Sequence, residues 1–353
     1  MDARTVAEQR HRHDHEEGVS RGRRLMIRDG MVRRSRRALP VLVVAATACA
    51  GRTAALRLAP GDHEIGLRHG GRARAALVHV PPAATRGDRL PLVLAFHGGG
   101  GAPGSFEAYA GLDAVADREG FVVAYPFGSG PLPRRLLTWN SGEGCCGYAR
   151  RNRIDDTGFA LALVDELARA GLIDARRVYA TGHSNGAMMA YRLAAERADR
   201  VAAVVPVAGA MDLASFAPSR AVPVLHIHSV DDPRALYEGG LGPPFPGTET
   251  RVPHRPVEEG LARWRERNGC LGEPDVVETR LGADGSPNEG RTAKHLVWRE
   301  CEDGVVEHWK LTGSGHGWPG RSSTGPSAEL IGPPTTLVSA AEEIWAFVRR
   351  FRR

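Results

Sequence analysis

Ser184 stands between two glycines in Gly182-His183-Ser184-Asn185-Gly186. This is the G-x-S-x-G spacing in which a sharp strand-to-helix turn lifts a serine hydroxyl above a sheet. A serine so placed can attack a carbonyl, provided that a base takes its proton and an acid orients that base. The spacing alone is weak: a chain with 43 glycines supplies roughly 0.2 such matches by chance. Its flanks strengthen it. Val178, Tyr179 and Ala180 form an apolar, strand-favouring run before the turn, and Ala187 to Glu196 is a run of good helix formers after it. A glycine-rich turn with an idle serine is the competing reading.

Among 14 histidines, His316 comes late and is flanked by Gly315 and Gly317, which let its ring project from a tight loop. His226 and His228 fall within an expected strand and read as packing or hydrogen-bonding residues. Asp231-Asp232 follows the apolar run from Pro223 to Val230, at the carboxyl end of a strand, where an α/β sheet gathers its site. The order serine, aspartate, histidine is that of the α/β-hydrolase fold. A second glycine cluster, His97-Gly98-Gly99-Gly100-Gly101, follows the run Leu90 to Phe96. There the backbone is free to approach a ligand and offer an amide to an oxyanion. A flexible loop or a phosphate cradle are the alternatives, and no Gly-Lys-Ser/Thr follows to favour the cradle. Asp155-Asp156 reads as a helix cap rather than a metal site.

Strands must deliver these residues. The run Leu90–Phe96 is apolar throughout, as in a strand buried on both faces of a parallel sheet. A hairpin is expected around Gly70-Gly71, a helix over 105–119, strands over 121–125 and 201–207, a helix from Asp155-Asp156 to Ala170, and another over 257–268. Two later strands, around 295–301 and 305–311, suggest a Cys270–Cys301 bridge, and a helix over 335–350 closes the chain. The alternation implies an α/β fold with a mostly parallel central sheet and helices on both faces. Between Pro126 and Arg153 lies a long irregular segment, which inside a compact domain is usually functional. It carries Trp139, which either lines a substrate cleft or covers core. Trp139 and Trp318 are the expected substrate-binding residues.

The 353 residues, 42% hydrophobic and 25% charged, suffice for one large domain. Residues 1–40 hold 11 arginines against 6 acidic residues, so they carry nearly all of the net charge of +6. The remainder is close to neutral, which argues against nucleic-acid binding. Arg33, Arg34, Arg36 and Arg37 precede the apolar run Ala38 to Ala48, which ends in Ala46-Thr47-Ala48. This reads as a signal peptide, too short to span a bilayer, with translation starting at Met1, Met26 or Met31. Residues 1–48 are therefore expected to be a leader and 49–353 a single domain. Cleavage before Cys49 would resemble a bacterial lipoprotein signal, with plain secretion as the alternative. The cluster His11, His13, His15 reads as a solvated tail rather than a metal site. Apart from Cys49, four cysteines remain, an even number suited to disulfides in an oxidising compartment.

From about Gly66 onward the chain resembles the secreted polyhydroxybutyrate depolymerase and feruloyl esterase family, which includes the LpqC-type lipoproteins. The residues carrying the resemblance are Phe96 to Gly99, Trp139-Asn140 with Cys145-Cys146, Asp155-Asp156, Val178 to Gly186, His228 to Gly239, Asn268 to Cys270 and Gly315 to Pro319. The resemblance implies Ser184 as nucleophile, Asp232 as acid, His316 as base, and oxyanion amides from Gly98, Gly99 and Asn185. It implies Asp232 rather than Asp231 because the former holds the family's place before Tyr237-Glu238-Gly239-Gly240. Ala195 stands where the family often has a cysteine, so the pairing of Cys145 and Cys146 stays open. Ser229-Val230-Asp231 and Pro233-Arg234 also depart from the usual acid segment. Ester hydrolysis by such a triad needs neither metal nor cofactor. The expected partner is an ester substrate, with membrane contact only through a lipid on Cys49 and a monomeric chain. The rivals are an acyltransferase or serine peptidase on the same fold, or a silent polymer- or glycan-binding lipoprotein with Trp139 and Trp318 as a stacking surface.

Overall fold

A computed structural model describes residues 41–42, 58–84, 89–145, 147–245, 249–322 and 327–353. They fall in one compact unit, Leu39–Arg353. Cys49, Cys146 and residues 1–48, the expected leader, apart from Val41–Leu42 lie outside the described residues.

β1 (Val41–Leu42) pairs with β2 (Gly61–His69), which turns at Gly70 and Gly71 into β3 (Arg72–Val80). Both glycines have positive φ, 55° and 74°, the backbone that a two-residue hairpin turn demands. β4 (Leu90–Phe96) is buried along both faces: Leu92, Leu94 and Phe96 enter one core cluster, Val93 and Ala95 the other. The helix expected over 105–119 is two. α1 (Pro103–Ala110) and α2 (Leu112–Glu119) meet at Gly111, whose φ of 69° breaks the run.

β5 (Val122–Pro126) follows, then the long segment, which contains the short α3 (Gly147–Arg151). α4 (Asp156–Arg169) is capped by Asp155, whose carboxylate accepts from the Gly158 N–H at 2.9 Å. β6 (Ile173–His183), α5 (Asn185–Glu196), β7 (Ala203–Val207) and β8 (Val224–Ser229) continue the alternation. β9 (Gly240–Leu241) and β10 (Pro253–His254) form a small separate ladder. α6 (Val257–Asn268), β11 (Asp275–Leu281), β12 (Thr292–Trp298), β13 (Val306–Thr312), α7 (Ser327–Ile331) and α8 (Ala340–Val348) complete the chain.

The large sheet runs in the order β1-β2-β3-β5-β4-β6-β7-β8-β13-β12-β11. The six strands from β5 to β13 are mutually parallel, and the hairpins at both ends are antiparallel. A parallel sheet must be covered on both faces. Leu161, Met189 and Trp264 of α4, α5 and α6 cover one; Phe106, Val115 and Ile344 of α1, α2 and α8 cover the other. This is an α/β-hydrolase fold. Cys270, just past α6, is bonded to Cys301 in the β12–β13 connection, 31 residues on.

Candidate active site

β6 ends at His183 and α5 begins at Asn185, so Ser184 alone makes the turn. Its φ of 57° lies in the left-handed region, where a non-glycine residue carries strain of about 1–3 kcal/mol. Hydrogen bonds hold it there. The Ser184 N–H donates to the Val207 carbonyl at 3.0 Å, and the Ser184 carbonyl accepts from the Met188 N–H at 3.1 Å. The flanking glycines are required by space. A Cβ on Gly186 would lie 2.1 Å from the Phe96 carbonyl oxygen, and one on Gly182 2.7 Å from it. A third glycine had no local signal: a Cβ on Gly209 would lie 2.4 Å from the Ser184 carbonyl oxygen.

Asp232 lies past the end of β8 and is buried. One of its oxygens, Oδ1, accepts from the amides of Arg234 and Ala235 at 2.7 and 2.8 Å. The other, Oδ2, lies 2.7 Å from His316 Nδ1 and 3.2 Å from His228 Nε2. Burial by itself would raise the carboxyl's pKa; the His316 charge and the hydrogen bonds from His228 and His316 outweigh it and hold the group well below the carboxylate range. An ionised carboxylate only accepts, so His316 Nδ1 carries a hydrogen and the neutral ring keeps its lone pair on Nε2. Asp231 is spent elsewhere, accepting from the Gly313 N–H at 2.7 Å.

Of the packing and hydrogen-bonding roles expected for His228, the structure shows the second, with Asp232 as a partner. Its Nε2 also lies 2.9 Å from the Ala235 carbonyl, so that nitrogen donates. From its Nδ1 a chain runs inward to His226 Nε2 at 3.0 Å, and from His226 Nδ1 to the Tyr191 hydroxyl at 3.0 Å. The alternating side-chain period of β8 puts both histidines on one face; only the fold shows that this face meets Asp232.

The Gly98-Gly99 loop packs directly on the elbow. A Cβ on Gly98 would lie 3.6 Å from that of Ser184, and one on Gly99 3.5 Å from that of Asn185. Asn185 opens α5, where a main-chain amide has no helical acceptor. Its side chain is fully engaged, accepting from the Trp139 N–H at 2.8 Å and donating to Ser141 Oγ at 2.7 Å. His97 fixes the loop from behind: Nδ1 donates to the Gly98 carbonyl at 2.8 Å while Nε2 accepts from the Gly128 N–H at 3.2 Å. Both bonds together require the neutral ring, and burial lowers its pKa to about 4.

Trp139 and Trp318 do not line the cleft. Each is core, 0% and 1% exposed. Trp139 lies beneath the Gly98-Gly99 loop, donating from Nε1 to the His97 carbonyl at 2.9 Å and packing on the rings of Phe96 and His97. Trp318 packs edge-on against Phe106 and His183, and its main-chain N–H donates to the Tyr109 hydroxyl. His183 donates from Nε2 to the His316 carbonyl at 2.6 Å; burial first, then the His316 charge, lowers its pKa to about 3. The two tryptophans thus brace the walls.

Ser184, Asn185, Gly98, Gly99 and His316 line one cleft of about 270 Å³. Met188, Pro243, Phe245, Val252, Leu330 and Ile331 make its wall largely apolar. A second recess of about 430 Å³ shares Gly98, Gly99, His183 and Ile331 with it, so an ester held at Ser184 has room on two sides. Cys145 also lines the cleft and is disulfide-bonded; the expectation concerning Cys146 lies outside the described residues. Among the described residues no group of three or more His, Cys, Asp or Glu could hold a metal ion.

Fold and site together define an α/β hydrolase with a serine at the elbow. Residues 74–259 match the family described as Esterase PHB depolymerase, and the chain belongs to that family of carboxylic ester hydrolases. It is 34% identical over 263 residues to the putative esterase NocK of Nocardia uniformis subsp. tsuyamanensis, a match covering 71% of this chain and 72% of that one. It is 29% identical over 252 residues to feruloyl esterase B of Piromyces equi, covering 69% of this chain but 42% of the relative. It is 28% identical over 265 residues to poly(3-hydroxyalkanoate) depolymerase C of Paucimonas lemoignei, covering 70% and 59%. The chain thus spans less than two thirds of the latter two. Among solved structures, a thermostable esterase aligns with TM-score 0.50 and 14% identity over 83% of this chain and 63% of its own, a likeness of fold.

Proposed function

We propose that the chain is a secreted serine esterase in which Ser184 is the nucleophile, His316 the base and Asp232 the acid. Ser184 attacks the ester carbonyl as His316 takes its proton. The amides of Gly98, Gly99 and Asn185 face the tetrahedral oxyanion, His316 protonates the departing alcohol, and water activated by the same ring releases the acid. The observation that carries this reading is the 2.7 Å contact of His316 Nδ1 with buried Asp232, on a ring that shares its cleft with the strained Ser184.

The proposal includes a leader over 1–48 that directs export, a single catalytic domain over 49–353, membrane contact only through a lipid on Cys49, and a monomeric chain. Among the described residues no helix is long and apolar enough to cross a membrane. The apolar cleft and the neighbouring recess suit a small or aromatic acyl group. Feruloyl esters, acetylated xylan and polyhydroxyalkanoates, the substrates named for relatives, are the set to test. The silent binding-protein reading loses its support, since both tryptophans of its stacking surface are buried.

The test is fluorophosphonate labelling followed by initial rates on methyl ferulate, acetylated xylan, a nitrophenyl ester and a polyhydroxybutyrate suspension. Labelling at Ser184 and rates abolished by Ser184→Ala are expected. Undiminished turnover in that variant would sink the assignment. Transfer to added alcohols in preference to water would point to an acyltransferase instead.

A further inference from the structure

Among the described residues the cleft wall holds one permanent charge. Arg234 lines it, half-buried, two residues past Asp232. His183 and His254, which also line the cleft, are shifted by burial toward their neutral forms. Among the described residues no carboxylate lines the cleft. The Arg234 guanidinium lies over the Phe245 ring at 5.8 Å, and its Nη1 donates to the Pro244 carbonyl at 3.2 Å. Among the described residues it has no acidic partner. Arg263, Arg267 and Arg291 likewise bond main-chain carbonyls, and what sets Arg234 apart is its place in the wall of the cleft. A half-buried guanidinium with five N–H donors and one main-chain acceptor is an incomplete site for a planar anion.

We infer that Arg234 selects esters that carry a carboxylate, receiving it against the apolar wall while the ester carbonyl sits at Ser184. This rests on the serine-esterase reading and names its substrate class. The carboxylate could belong to the acyl part, as in the half-ester of a dicarboxylic acid, or to the alcohol part, as in an ester of a hydroxy acid. Both present the same anion to the same guanidinium, and rates tell them apart.

Two matched pairs read the charge. Nitrophenyl butyrate is compared with the mono-nitrophenyl ester of glutaric acid, and phenyl acetate with acetoxybenzoate. The quantity is the ratio of kcat/KM, anionic over neutral, for the unaltered protein and for Arg234→Gln and Arg234→Lys; comparing ratios between proteins cancels intrinsic reactivity. A lost charge-assisted hydrogen bond should lower the ratio about tenfold or more in Arg234→Gln in one pair, and that pair identifies the side. Arg234→Lys should keep a large part of it. In the unaltered protein the same ratio should fall as salt is raised, a measurement that needs no variant. A ratio unmoved in both pairs by Arg234→Gln, and flat with salt, overturns the inference. If the neutral esters are not turned over, or are turned over without Ser184, it is the esterase reading that fails.

Discussion

Asp232 is shared by two histidines in unlike surroundings. On one side His316, on a loop after β13, meets Oδ2 at 2.7 Å and opens onto the cleft. On the other side His228, inside β8, meets the same oxygen at 3.2 Å and passes on to His226 and Tyr191 in the core. The residue type and the acceptor are the same. Access divides the roles: a ring that reaches the cleft can exchange a proton with a substrate, whereas a sealed ring can only fix the carboxylate's position and charge.

Removing the cleft side should have the largest effect. Ser184→Ala and His316→Ala should each lower kcat/KM by at least about a thousandfold, and Asp232→Asn by a similar factor, with far-UV circular dichroism unchanged. Cutting the core side should do less to the rate and more to the fold. His228→Phe should cost about 1–3 kcal/mol of stability by denaturant unfolding, because it strips a bond from Asp232 and leaves His226 Nε2 without its acceptor. A thousandfold rate loss there with unaltered stability would erase the distinction.

Acid separates the buried neutral rings from the buried carboxylate by window. His97 and His183 are held neutral in the fold with pKa values of about 4 and 3, whereas an unfolded histidine takes its proton near 6.5. The folded state therefore binds fewer protons between those values, and stability falls as pH drops from about 6.5 toward 4. Asp232, depressed instead, contributes stability that is complete above the ordinary carboxylate pKa of about 3.9 and is lost only below it. Calorimetry across this range should show a loss beginning near pH 6.5, offset in part by Glu107, whose carboxyl burial raises to about 7; a melting temperature that rises down to about pH 4 would contradict the buried neutral rings. The smallest effect expected is for Trp139→Phe. It keeps the ring but loses the bond to the His97 carbonyl, at about 1 kcal/mol of stability and a few-fold fall in kcat from a looser oxyanion loop.

The elbow and the parallel core were legible because each rests on local spacing, whereas Asp232 was preferred to Asp231 only through the family resemblance. Gly182 and Gly186 announce the turn, and β4 announces burial on both faces by an unbroken apolar run. What sequence reasoning missed depends on packing between distant segments. Nothing around Trp139 distinguishes a cleft wall from a brace, since its partners His97 and Asn185 lie 42 and 46 residues away. Gly209 is required only because another strand's end crowds it. β11 escaped because it lies at an edge with nearly every side chain exposed, so no buried face imposes a pattern. Gly111 divides a helix that its neighbours' propensities would have continued.

The sealed chain behind Asp232 also keeps time. Ring hydrogens of His226 and His228 have no path to solvent while the core is closed, since these residues are 0% and 1% exposed. After transfer to heavy water they should persist until the whole molecule opens, long after amides in loops have exchanged. Their resonances would give a clock for global opening, read one and two hydrogen bonds away from the carboxylate on which the proposed chemistry depends.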